Sequence, residues 1–450
     1  MRILRRRSPE QQGRHTPNLW PVWLVAPVSL ILVALLAYGL YHGVDAFLTA
    51  ENPGKKPVSG QDNIKVTVTA LTLVGAVLAG LYAYRKQLLD EGSSHRADAM
   101  QLAERYTKAA EQLGHEQAAV RLAGVYAMAR LADDWQEQRQ VCVNVLCAYL
   151  RMPYETDTGS EGYMKGEREV RLTIIRTIRD HLQDPTSATS WCGRDLDFTG
   201  AVLDGGDFEN AKFTGGLVTF TRAKFTGGLV TFTHADFTGG TVDFNGADFT
   251  GGTVDFSRAR FTGGTVDFSR ARFTGGTVDF SVTDFSGGIV AFNQARFSGG
   301  TVDFRDAKFF SGMVLFHFAA LDGGRVTFDG AQLSGSTVSF FGAILSDGMV
   351  ALENVLISDG ALRLDNVLIS DGTVSFIGAA LSGGTVTFAD TTLSGGTLDF
   401  ENTTLADGTL TFDGATLPGS GTTVDANNIL IHAACAIEWG PLPTIPVNQP

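Results

Sequence analysis

From Phe213 onward the chain repeats itself every twelve residues. Phe213, Phe225, Phe237, Phe249, Phe261 and Phe273 form one column, and Phe220, Phe232, Phe244, Phe256, Phe268 and Phe280 form a second, seven residues behind it. Both columns hold register to Leu405 and Phe412 without an insertion, which marks a solenoid whose units bury their apolar faces only against their neighbours. Each unit reads as two five-residue blocks and a two-residue spacer. Around Phe261 the blocks are 259–263 and 266–270, with Gly264 and Thr265 between them. Side chains two apart on an extended segment share a face. Ala259 with Phe261, and Val266 with Phe268, are therefore expected inside, with Arg260, Asp267 and Ser269 outside.

Upstream, Phe198, Leu203, Phe208 and Phe213 follow at intervals of five with no spacer. Residues 194–213 resemble the repeats of the bacterial pentapeptide-repeat family. That resemblance implies an all-β, right-handed quadrilateral β-helix with four five-residue faces per coil. Two twelve-residue units would then make one coil of twenty-four, with a Gly-containing extension at two of four corners. A flat coil of twelve is the competing geometry, and it leaves no room for two rings per layer. Glycine recurs three residues after the first column, at Gly216, Gly228, Gly240 and Gly252 and onward, with Ser336 the exception. A corner with positive φ accounts for such a column. The family prefers Leu at the central position, whereas this chain uses Phe through Phe309 and mostly Leu or Ile afterwards.

The chain begins with a basic tail, 1–18, carrying Arg2, Arg5, Arg6, Arg7 and Arg14 against Glu10. Residues 19–41 are uncharged and long enough to cross a bilayer, so a first transmembrane helix is expected at 19–43. A cleaved signal peptide is the alternative for a basic start. The apolar run is too long for one, contains Pro21 and Pro27, and lacks a small-residue cleavage site. A second span is expected at 65–84, ending at Arg85 and Lys86, with Gly75, Ala76, Ala79 and Gly80 as a small-residue strip on which the spans pack. The linker 44–64 is then extracytoplasmic. Basic residues are densest before the first span and after the second, so both ends are expected in the cytoplasm, as a multi-pass protein of the cell membrane.

Residues 85–190 read as a helical module. Val170, Ile174, Ile178 and Leu182 form a stripe at helical period, and a loop is expected over 152–166. The segments 104–114 and 120–130 are similar to a helical module that precedes pentapeptide repeats in membrane-attached bacterial proteins. Arg168, Arg171, Arg176 and Arg179 lie off the stripe and read as a solvated helix face, because acids are interleaved with them. The β-helix is expected over 191–417. Residues 418–450 are read as a C-terminal cap, 429–439, and a proline-rich disordered tail.

No catalytic chemistry stands out. The four cysteines are scattered without a CxxC, as reduced thiols are, and a zinc site would need another spacing. The eight histidines form no HExxH, and no P-loop, nucleophile elbow or dinucleotide fingerprint is present. Gly263-Gly264-Thr265-Val266-Asp267 starts like a calcium β-roll but lacks its third glycine. The columns of Thr, such as Thr241, Thr253 and Thr265, are those of an ordinary β-former. No enzyme, cofactor, metal or nucleic-acid ligand is expected.

Charge is the informative surface property. The whole chain carries −13, while residues 195–417 alone hold 26 acids and 12 bases. From Val326 to Leu417 there are 11 acids against Arg363 alone. Such a surface suits a basic partner. Two functions fit. One is a membrane-anchored cytoplasmic scaffold for protein–protein interaction. The other is a DNA-mimicking ligand of a topoisomerase such as gyrase, as some soluble members of the resembled family are. The membrane spans favour the scaffold, and the irregular outward acids suit local contacts better than a continuous imitation of duplex DNA.

Overall fold

The computed structural model describes residues 22–50, 60–418 and 421–440, which form two compact units, 1–100 and 101–450. In the first unit, helix α1 spans Val22–Ala50, and the unit boundary falls within helix α2, Gly60–Leu113. Within α2, Ile64–Gln87 has a mean hydropathy of 2.0 and is the one stretch among the described residues long and apolar enough to cross a membrane. The second expected span lies inside it. The first falls on α1 from Val22 onward, and its residues 19–21 lie outside the described ones, as do the basic tail 1–18 and the segment 441–450.

The expected linker, 44–64, is helical to Ala50 and again from Gly60, and its residues 51–59 lie outside the described ones. No described atom lies within 4 Å of a Cβ placed on Gly75 or Gly80.

The second unit is a parallel β-solenoid preceded by helices α3 (Ala118–Asp134), α4 (Arg139–Arg151) and α5 (Glu167–His181). Strands of two or three residues stack in four parallel ladders. Ladder 1 starts at Leu196–Asp197, ladder 2 at Val202–Leu203, ladder 3 at Gly206–Asp207 and ladder 4 at Lys212–Phe213. Partners along a ladder lie 24 residues apart, as Phe249 does from Phe273, which excludes a coil of twelve. Ladder 3 holds ten strands. Near the end, Ala380–Thr387 is long enough to pair in ladders 4 and 1 at once and joins the two into one sheet.

The spacer sets the coil length. Where it is missing before Phe213, Leu196 pairs with Val218 and the coil closes in 22 residues. Across the lapse after Leu417, Thr397 pairs with Thr423 over 26 residues. The repeat therefore does not stop at Leu417. Leu430–Glu438 continues ladders 4 and 1, and the Trp439 ring lies parallel to Phe412 at 6.2 Å.

Ala259, Phe261, Val266 and Phe268 are all buried, while Arg260 is exposed and Asp267 and Ser269 are half-exposed. Strands in a sheet sit about 4.8 Å apart, so rings at equivalent positions must stack. Phe244, Phe268 and Phe292 do so at 4.6 and 4.9 Å, and the Phe256 and Phe280 rings meet Phe268 edge-on at 6.1 and 5.8 Å. Where threonine replaces the inward alanine, its hydroxyl donates to a carbonyl of the neighbouring coil, as Thr283 does to Phe256 at 3.0 Å.

The glycine column holds two different corners. Gly264 has φ +76°, as expected. Gly300, Gly324, Gly348, Gly360 and Gly372 lie outside the left-handed region, so positive φ does not explain them. Close approach does: a Cβ on Gly348 would stand 2.5 Å from the Cβ of Leu321 in the coil before. A second left-handed corner, two residues after each buried Phe of the second column, was not foreseen. It holds Arg258, Arg270, Val282 and Phe318 at φ 56–60° alongside Asn354 and Asn402. Its signal was the frequent Asn, Asp and Gly at that position, the residues that tolerate this conformation. A β-branched residue fits it worst. Val282→Gly is expected to stabilise the solenoid by about 1 kcal/mol, read as a higher denaturation midpoint.

Candidate interaction surface

The first coil is closed by the helices, through a charged contact that the arginine pattern had not suggested. Arg151 pairs with Asp197 at 2.7 Å and Arg168 with Asp204 at 2.9 Å, and Arg179 pairs with Asp207. The backbone joins in, with Lys212 N donating to Leu182 O at 2.8 Å. Arg171 is not on a solvated face. It is buried with Arg121 and Glu167, and the Glu167 carboxylate lies 3.2 Å from Arg121 and 3.8 Å from Arg171 while accepting from the Tyr149 hydroxyl at 2.9 Å. Burial pulls the Arg171 guanidinium below its usual value, against the pull of Glu167. The guanidinium also sits 4.5 Å over the Tyr154 ring, whose hydroxyl donates to Asp204 at 2.9 Å. This cluster joins α3 and α5 to the first coil and is structural.

Cys142 and Cys147 are buried thiols. Burial pushes Cys142 up to about 11 and Cys147 up to about 12, and all four cysteines are unpaired. His317 is half-buried, held below its ordinary value by burial, with Nε2 at 3.0 Å from the Ser339 hydroxyl. Among the described residues no group of acids, histidines and cysteines is arranged to hold a metal.

The acids of the second column are mostly committed to the backbone. Asp243, Asp255, Asp267 and Asp279 each accept a hydrogen bond at 2.7–2.8 Å from the amide two residues on, an Asx turn that leads into the left-handed corner. They are also divided between faces: Asp255 pairs with Asp279 in ladder 3, and Asp267 with Asp243 in ladder 1. The distal acids split likewise. Asp347 and Asp371 follow strands of ladder 2, whereas Asp359 and Asp407 belong to ladder 4, so they lie along two edges. Half a coil separates consecutive units, and that is why one sequence column becomes two.

Among the described residues, ladder 4 makes one ion pair along its own length, between Arg260 and Asp236. Lys212, Asp236, Arg260, Asp284 and Lys308 alternate in sign, and Arg260 grips Asp236 with two bonds of 2.5 and 2.7 Å. Ladder 2 differs. Its outward series runs Lys224, Asp248, Arg272, Arg296, then Ala320, Ile344 and Leu368. Its corner carries Arg222, Gly246 and Arg270, and Gly246 leaves a shallow cleft between the two arginines, with Lys224 and Arg272 beside it. An apolar band around Phe318 and Phe341, whose rings meet edge-on at 5.7 Å, follows this basic stretch. Among the described residues Arg222 and Lys224 make no ion pair, and the side chains of Phe318 and Phe341 stand exposed.

Residues 220–266 match the family model described as pentapeptide repeats (9 copies), which supports a pentapeptide-repeat protein, a fold that typically serves structure and interaction rather than catalysis. No curated protein and no solved structure matches the chain.

Proposed function

We propose that the chain is a membrane-anchored scaffold whose solenoid presents fixed rows of side chains to other proteins. The observation that carries this reading is the division of labour in the repeat. Inward positions are held to Ala, Val, Phe, Leu and Ile with an occasional Thr, while outward positions of one ladder vary from Lys224 to Leu368 at a constant spacing. A surface of this kind is suited to recognition. The four ladders are read as the sides of a right-handed, square-sectioned coil.

Anchoring by two helices completes the proposal. Supporting it, Ile64–Gln87 has the length and hydropathy of a span, and Ile31, Leu32, Leu35 and Leu36 of α1 are all exposed, which lipid tolerates and water does not. Leu36, Gly39 and Leu40 of α1 line one apolar groove together with Val66 of α2. The arginines before α1 and after Tyr84 favour a cytoplasmic solenoid. A reporter fused after Pro450 and another placed near Ser59 are then expected on opposite sides of the membrane, and protease reaching the solenoid in intact cells would overturn this topology.

DNA mimicry is disfavoured by the Asx turns, which tie down the most regular carboxylates, and by the split of the rest between two edges. The purified protein is expected to leave gyrase supercoiling unaffected at micromolar concentration. Inhibition abolished by neutralising Asp347, Asp359 and Asp371 would replace the scaffold with the mimic.

A further inference from the structure

The outward side of ladder 2 changes character in a fixed order along the solenoid. Its early coils display Arg222, Lys224 and Arg270, together with Arg272 and Arg296, which pair with Asp248 and Asp322, a surplus of positive charge. Next come Phe318, Phe341, Ile344 and Leu368, each between 36% and 59% exposed. The later coils display Asp347, Asp371, Asp390 and Asp413, all exposed. We propose that this face binds a second copy of the same chain laid antiparallel to the first. A twofold axis crossing the face near Phe318 sets the basic band of each copy opposite the acidic band of the other, over a shared apolar centre.

Three observations favour this occupant over others. An anionic membrane or a nucleic acid would suit the arginines but be repelled by the later half, and a basic partner would meet the reverse problem. An isologous pair satisfies both halves at once, since a twofold interface uses the same patch on each copy. The apolar centre is also shaped. Phe318 holds a left-handed corner at φ 56° and lies over Gly342, where a Cβ would come within 2.7 Å of its ring, so the ring is laid across the face beside Phe341. Finally, the size fits: nine strands about 4.8 Å apart, each about five outward residues wide, give about 600 Å² per copy and 1,200 Å² in all, the small end for a specific pair. An interface of that size, framed by exposed charges, is expected to be reversible and weakened by salt.

The test uses the full-length protein in detergent, with Cys192 and Cys435 changed to serine to remove background. Oxidation of Phe318→Cys is expected to give a disulfide-linked dimer. Arg222→Cys is expected to give none, because four coils from the axis the two cysteines stand about 40 Å apart. By sedimentation, the reversible dimer of the unmodified chain is expected to weaken at least tenfold with Phe318→Asp or on raising salt to about 0.5 M, while Phe310→Asp, on ladder 4, leaves it unchanged. Arg270→Asp and Asp371→Lys should each weaken the dimer alone, and mixing the two variants should restore it. A monomer at every concentration overturns the proposal, as does a dimer indifferent to Phe318→Asp and salt, which the membrane helices would explain. Equal cross-linking from Arg222→Cys would mean a parallel pair and overturn it too.

Discussion

Replacing Phe268 with alanine is expected to destabilise the solenoid by about 3–5 kcal/mol. The ring is fully buried, stacks between Phe244 and Phe292, and meets Phe256 and Phe280 edge-on. Its neighbours cannot close the void, because the backbone ladders fix the coils about 4.8 Å apart and each ring is already held from above and below. The same crowding acts in the other direction. Ala259, also fully buried, has no space for a ring, so Ala259→Phe should cost about 1–3 kcal/mol or more through overpacking. Arg260→Phe, on the exposed side of the same strand, should stay within about 0.5 kcal/mol. Denaturant midpoints of the full chain decide the matter. Equal losses from the changes at 259 and 260 would mean that the inner and outer faces are wrongly assigned.

Glu167→Ala should cost a similar amount for a different reason. Glu167 is in contact with both Arg121 and Arg171, and all three side chains are buried. Removing it leaves two buried guanidinium groups without their counter-charge and the Tyr149 hydroxyl without its acceptor, a loss of about 3–5 kcal/mol. Arg121 keeps its bonds to the His115 and Glu116 carbonyls, and Arg171 keeps its bond to the Tyr149 carbonyl, which limits the damage to the module and the first coil. Hydrogen exchange should therefore show faster exchange for Lys212 N, which is bonded to Leu182 O, while amides near Phe340 stay protected. Uniform loss of protection along the solenoid would refute the assignment of this cluster as a local tie between the helices and the first coil.

Much of the solenoid was legible before any coordinates. The period of twelve, the alternation of Ala259, Arg260 and Phe261, and the early spacing of five fixed which residues are inside, because a side chain on an extended strand has only two faces to choose from. The same logic limited what could be read. A left-handed corner occupied by Arg258, Val282 or Phe318 breaks local preference, and the neighbouring coils impose it through bonds such as Arg258 N to Ser281 O at 3.1 Å. Local sequence carried only its trace in Asn354 and Asn402. Gly324, Gly348, Gly360 and Gly372 looked like the other glycines of the column, yet they serve close packing against the preceding coil, a contact between residues distant in the chain.

What the sequence by itself determined, then, is the set of positions that recur. The tertiary structure decided which recurrences become neighbours. Because the coil is two units long, residues twelve apart land on different ladders and residues twenty-four apart stack. That one integer divides a single column of acids between two faces, lets Arg260 answer Asp236, and gathers Arg222, Arg270, Phe318 and Asp371 along one side. The arginines of α5 show the same limit. Their spacing is that of an ordinary amphipathic helix, and only the docking of the helix on the first coil gave them Asp204 and Asp207 as partners and buried Arg171 beside Glu167. Periodicity is a property of the chain, whereas the pairing of charges depends on distances that exist only once the coil has closed.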